Sequence, residues 1–141
     1  MAQGRPYQAY QNAQAQTSNQ KQLIVMLYDG MDKFLTKAVQ AINEGDIETA
    51  HSNLHRTGQI ILELLGTLRE DKGGEIATNL KQIYVYCYEQ VVIGNLKKDV
   101  EMIRNVQQVI NNLGSAWKQI SQKKGNLRTG TDSYQQVRVS G

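Results

Sequence analysis

Two histidines and a glutamate form the arrangement in this sequence that comes nearest to a metal-binding motif. Glu48 stands three positions before His51, and His55 follows four positions later. Carboxylate-bridged di-iron bundles use this Glu-x-x-His spacing, together with a second copy of the motif and two further inward carboxylates. The chain has only these two histidines. We therefore favour a surface histidine pair, which would bind transition metals weakly, and we expect no metal and no cofactor.

Cys87 and a glycine pair also fit structural roles better than chemical ones. Cys87 is the only cysteine, so it forms no intramolecular disulfide, and its tyrosine neighbours supply no base that would activate a thiol. We expect it in the core. Gly73 and Gly74 precede a predicted helix, but a P-loop Lys-Ser/Thr does not follow, and Glu75 would repel a phosphate. The chain is therefore not expected to be an enzyme.

Charge and hydropathy exclude two further classes of protein. The net charge is +3, and the local basic surplus lies near the end of the chain, at Lys118, Lys123, Lys124 and Arg128. Arginines interleaved with aromatic residues are missing, so we expect no nucleic-acid binding. No run approaches the roughly 18 apolar residues of a membrane span, and the first residues lack the apolar core of a signal peptide. We expect a cytoplasmic protein without a membrane span.

Helical periodicity organises the middle of the chain. The only proline is Pro6, and glycines separate four segments whose apolar residues recur at helical spacing. The third segment contains Ile83-Tyr-Val-Tyr-Cys-Tyr88, which alone resembles a strand. Its longer apolar period favours a helix, and at least one of its tyrosines should then reach the surface. The predicted helices begin at Asn19, Asp46, about Glu75 and about Lys98, and end at Gly45, at 71–74, at Gly94 and at about Gln122.

Short connections between four amphipathic helices predict an all-α, antiparallel up-down-up-down four-helix bundle. We assign the bundle to residues 19–124. Residues 1–18 are rich in Gln, Ala, Ser and Asn, and we interpret them as a flexible N-terminal arm with Tyr7 and Tyr10 as its anchors. Residues 125–141 are predicted to be a polar, disordered tail. Composition and periodicity alone indicate a helical interaction protein.

Local motifs add a resemblance to a known family. Leu23-Ile-Val-Met-Leu-Tyr-Asp-Gly30, Ala41-Ile-Asn-Glu-Gly-Asp-Ile47, Ile60-Ile-Leu-Glu-Leu-Leu65, Lys72-Gly-Gly-Glu-Ile-Ala77 and Asn95-Leu-Lys-Lys-Asp-Val100, with Trp117-Lys118 near the end, resemble the FliS family in order and spacing. The chain departs from the family at Asn19-Gln20, where Ser-Pro is common, and in its tyrosine-rich third helix.

The resemblance implies an export chaperone. Members of the family bind the disordered C-terminal segment of flagellin in the cytoplasm, prevent its premature polymerisation and keep it competent for flagellar type III secretion. We expect one client per chaperone, and we consider contacts with export-gate components and a homodimer without client. A generic helical adaptor with a different client, and a metal-binding bundle using Glu48, His51 and His55, are the alternatives.

The client-binding residues are predicted on two grounds. Some belong to matched motifs near the arm and groove, and others are apolar stripe positions that extend toward the surface. We further expect the arm to lie in a client groove and to compete with flagellin. The candidates are Tyr7, Tyr10, Leu23, Leu27, Tyr28, Ile47, Leu54, Ile61 and Tyr88.

Overall fold

The computed structural model describes residues 20–122, apart from the side chain of residue 70, and this part of the chain is helical without strands. The predicted arm, with Tyr7 and Tyr10, and the predicted tail lie outside the described residues. The helices are α1 (Gln20–Asn43), α2 (Ile47–Gly66), α3 (Glu70–Lys97) and α4 (Val100–Gln122).

The turn between α1 and α2 follows the sequence prediction. Gly45 has a φ of +78°, a left-handed conformation that glycine adopts without strain. Asp46 is the N-cap of α2, and its carboxylate accepts a hydrogen bond from the Thr49 N–H at 3.1 Å. Hydrogen bonds from the side chain and the backbone N–H of Thr49 lower the pKa of Asp46. The turn therefore reverses the chain within three residues.

The second connection differs from the prediction. Helix α2 ends at Gly66, before 71–74, and α3 begins at Glu70. Gly74 instead kinks α3, with a φ of +60° and a ψ of −134° that only glycine tolerates easily. Gly74 therefore interrupts the helix directly before Glu75, where the third helix was predicted to begin, and a short helical segment from Glu70 precedes it.

Gly94 does not end the third helix, contrary to the prediction. The helix continues to Lys97, and Lys98 takes the left-handed conformation with a φ of 51°. Hydrogen bonds from Lys98 N–H to the Asn95 carbonyl and from Asp99 N–H to the Gly94 carbonyl form a Schellman motif. Gly94 is buried because α4 packs closely there: an added Cβ would lie 3.3 Å from Ile103 Cγ1.

The four helices form the predicted antiparallel bundle. Consecutive helices pack on one another, and α4 packs back on α1. Asp29 on α1 pairs with Lys118 on α4 at 3.3 Å, and Asp32 accepts a hydrogen bond from Gln107 at 2.8 Å. Since positions ascending along α1 face positions descending along α4, these two helices run in opposite directions.

The core lies between the inward stripes and includes a polar contact. The hydroxyls of Tyr28 on α1 and Tyr84 on α3 are 2.5 Å apart across the bundle. Tyr84, Cys87 and Val91 share the buried face of α3, which confirms the helical interpretation of the tyrosine-rich segment. Tyr86 is 47% exposed, as expected for at least one of these tyrosines.

Candidate binding groove

A groove of about 480 Å³ runs between α2 and α3. Both helices contribute residues at helical spacing, so each presents one continuous face to it. From α2 it is lined by His51, Leu54, His55, Gly58, Gln59 and Leu62. From α3 and the residue that caps it, the lining is Tyr88, Val91, Val92, Asn95, Leu96 and Lys98.

The groove has a packed floor and exposed apolar walls. Leu54 and Val91 are buried and form part of its floor. By contrast, Leu62 and Val92 are each 47% exposed, and Leu96 is 83% exposed. Large apolar side chains this exposed and this close together mark a surface that binds another apolar surface.

Gly58 allows the Tyr88 ring to pack closely on α2 at the groove. A Cβ added there would lie 3.4 Å from Cε1 of the half-buried Tyr88 ring on the facing helix. Because glycine has no side chain, the Tyr88 ring lies directly over the α2 backbone. The ring is thus a wall of the groove rather than part of the core.

One end of the groove is polar. His51 Nδ1 and Asn95 Nδ2 are 3.0 Å apart, joining α2 to α3. The His51 and His55 rings stack with centroids 6.0 Å apart. Lys98 Nζ donates to the Asn95 carbonyl oxygen at 2.7 Å. Among the described residues, Asn95 Oδ1 is a buried side-chain acceptor without a hydrogen-bond partner. This end therefore offers charge and hydrogen bonds beside an apolar channel.

The residues first considered for chemistry do not assemble into a reactive site. Within residues 20–122, no group of three or more His, Cys, Asp or Glu side chains is placed to hold a metal ion. Cys87 is fully buried, and burial raises the pKa of its thiol to about 11, which disfavours the nucleophilic thiolate. No described helix has the length and apolarity required to cross a membrane.

A second apolar depression of about 410 Å³ lies on the other side of α3, against α4. Tyr86 forms part of it, together with the half-buried Ile83, Val109 and Leu113. Helix α3 is therefore flanked by apolar surface on both sides.

The predicted client-binding residues occupy three environments. Leu27, Tyr28 and Ile61 are buried in the core. Leu54 and Tyr88 come together in the groove. Leu23 is half-buried near the start of α1, and Ile47 is 51% exposed at the start of α2. Client contact remains a prediction for each of them.

The prediction missed the exposed apolar residues of the groove. Leu62, Val92 and Leu96 lie off the apolar stripes that were used to define the core faces. The available signal was the surplus of apolar residues in the third helix, which has more of them than one buried stripe can hold.

A closed bundle of four helices with exposed apolar side chains along an open groove has the architecture of a helical binding protein. The family model described as flagellar protein FliS matches residues 1–124. The chain belongs to the FliS family.

Three relatives from distant bacteria agree with this assignment, each named flagellar secretion chaperone FliS. The Bacillus subtilis protein is 35% identical over 93% of this chain and 97% of its own length. The Salmonella typhimurium protein is 39% identical over 72% of this chain and 76% of its own. The Campylobacter jejuni protein is 35% identical over 81% of this chain and 89% of its own.

Proposed function

We propose that the protein is a cytoplasmic, non-enzymatic export chaperone that binds the C-terminal segment of flagellin in the α2–α3 groove. The observation that carries the proposal is the row of exposed apolar side chains at Leu62, Val92 and Leu96 along an open groove, in a chain of the flagellar secretion chaperone family. One segment occupies one bundle, and binding masks the segment until it reaches the export gate.

The groove suits a segment that is disordered before it binds. Its floor is fixed by buried Leu54 and Val91, so the chaperone side is largely formed in advance. The client contributes apolar side chains and loses conformational entropy when it becomes ordered. This loss keeps the affinity moderate for the area buried. Moderate affinity allows release without nucleotide hydrolysis.

Calorimetry with flagellin and with flagellin lacking its C-terminal segment tests the proposal. We expect saturable one-to-one binding to the first and none to the second. Absence of binding to both proteins would contradict the proposal and favour an adaptor for another client.

A pair of variants tests the location of the site. Leu96→Ser removes an exposed apolar wall and should weaken flagellin binding about tenfold or more, the effect typical of an interface hot spot. Ile120→Ser on α4 is the control, because Ile120 is also exposed, at 39%, but does not line the groove. Equal affinities of the two variants would place the site elsewhere.

The arm is proposed to compete with the client through Tyr7 and Tyr10. Deletion of residues 2–16 should then leave flagellin affinity unchanged or increase it. A large loss of affinity on deletion would show that the arm contributes to binding instead. The oligomeric state of the client-free protein can be measured in the same samples by light scattering.

A further inference from the structure

The polar end of the α2–α3 groove is unbalanced in charge. His51, His55 and Lys98 line it, and none of the groove-lining residues carries a carboxylate. Basic side chains beside exposed apolar walls match an apolar segment that carries an acidic group.

The acidic residues nearest in sequence do not neutralise this end from within the groove. Glu48 is one helical turn before His51 but is not part of the lining. Asp99 caps α4 and accepts hydrogen bonds from the N–H groups of Glu101 and Met102 at 3.0 and 3.2 Å. On the helices that pack behind the groove, Glu44 and Arg104 line a separate depression between α1 and α4.

Resting on the proposed function, we propose that this basic end binds an Asp or Glu side chain of the flagellin segment. The apolar residues of the same segment cover Leu62, Val92 and Leu96, which fixes the direction in which the segment lies. Lys98 contributes a permanent charge. The two imidazoles add positive charge when they are protonated.

The sign of the pH dependence distinguishes this arrangement from a purely apolar groove. If a client carboxylate meets the histidines, protonating them adds an attraction and binding tightens on acidification. If the covering segment is apolar at this end, protonation adds charges that must be desolvated, and binding weakens.

The test is calorimetry of the full chain with a peptide of the flagellin C-terminal segment at about pH 8 and about pH 6. We expect binding about two- to fivefold tighter at the lower pH, the range of a partly exposed ion pair, and an effect that shrinks at high salt. Replacing the contacting Asp or Glu of the peptide by Asn or Gln should abolish the pH effect.

Two variants of the chaperone complete the test. Lys98→Gln should weaken binding about two- to fivefold at both pH values, while Lys97→Gln, an exposed neighbour outside the groove, should not. His55→Gln should reduce the increase in affinity at low pH. Because His55 lies within α2, this substitution does not disturb the end of α3, which Lys98 caps. Thermal unfolding of each variant confirms that the bundle is intact.

The outcomes separate this proposal from the function on which it rests. A peptide that binds with no pH dependence, or more weakly at low pH, overturns the acidic contact and leaves the chaperone function standing. Equal effects of Lys98→Gln and Lys97→Gln also overturn it. Failure of the peptide and of whole flagellin to bind overturns both.

Discussion

Helices α3 and α4 are of similar length and pack against each other, yet they distribute apolar residues differently. In α4 the buried Ile103, Val106 and Ile110 form one stripe, and Ile120 is its only exposed large hydrophobic residue within the described part of the chain. In α3 a buried face coexists with six exposed large hydrophobic residues: Ile76, Val85, Tyr86, Val92, Ile93 and Leu96.

This difference separates the requirements of folding from those of binding. One apolar stripe is sufficient to hold a helix in a bundle, as α4 demonstrates. The additional apolar residues of α3 stay partly exposed in the closed bundle and increase the risk of aggregation. Client binding in the α2–α3 groove accounts for Val92 and Leu96, the two of these residues that line it.

An Ile→Ala substitution on each of the two helices should give the largest difference in the free energy of unfolding. Ile110→Ala on α4 removes a fully buried side chain and should lower the free energy of unfolding by about 2–5 kcal/mol. Ile93→Ala on α3 removes one that is 37% exposed and should cost less than about 1 kcal/mol. Urea denaturation measures both. Similar losses would mean that the outer face of α3 is part of the folding core.

The inner face of α3 is tested by its buried tyrosine. Tyr84→Phe leaves the Tyr28 hydroxyl without its partner in the core and should cost about 1–3 kcal/mol. Tyr86→Phe, on the exposed side, should change stability by less than about 0.5 kcal/mol. In a double-mutant cycle, adding Tyr28→Phe should restore part of the loss, because no unpaired hydroxyl then remains. Strictly additive costs would contradict a coupled pair.

Alkaline pH should weaken the bundle through the same pair. Burial raises the pKa of both Tyr28 and Tyr84, and for Tyr28 the adjacent Tyr84 raises it further. Because the folded pKa values exceed the unfolded value, the stabilisation is complete below about pH 10 and is lost as the pH rises above it.

The comparison that isolates this effect uses the Tyr28→Phe, Tyr84→Phe double variant. Between about pH 9.5 and pH 11, the wild-type protein should lose about 1–2 kcal/mol more than the double variant in urea unfolding. Parallel pH curves for the two proteins would exclude the tyrosine pair as the source of alkaline destabilisation.

Sequence reasoning recovered the bundle because its signals are local. The Asp46 cap, the Gly45 turn and the periodic stripes each specify structure within a few residues. It misplaced the end of α3 because Gly94 is required by close packing against Ile103, a contact that only the tertiary structure reveals. Glycine as a helix stop and glycine as a packing site are identical in sequence.

The groove was harder to predict than the fold for a related reason. A stripe identifies which residues face inward, but it does not distinguish the floor of an open groove from a closed core. Leu54 and Ile61 occupy the same stripe of α2 and are both fully buried, yet only Leu54 lines the groove. That distinction depends on how α3 packs on α2, which includes the close contact of the Tyr88 ring with Gly58.

Two glycine substitutions should change stability least, and they compare a position at the groove with one in the core. Gly58→Ala places a methyl group 3.4 Å from the edge of the Tyr88 ring, an ordinary contact, and should stabilise α2 by about 0.5–1 kcal/mol through helix propensity. Gly114→Ala on α4 places a methyl group 3.3 Å from Tyr28 Cβ. This atom is attached directly to the backbone of α1 and has little freedom to move.

In Gly114→Ala, the cost of overpacking should therefore offset the gain in helix propensity, so that the free energy of unfolding is unchanged or reduced. Thermal unfolding ranks the two variants, and flagellin titration adds a second measurement, because the new methyl group of Gly58→Ala lies against the Tyr88 ring that lines the groove. We expect Gly58→Ala to raise stability while weakening client binding. If it raised both, the floor at Gly58 would not contact the client, and the site would be confined to the exposed walls at Leu62, Val92 and Leu96.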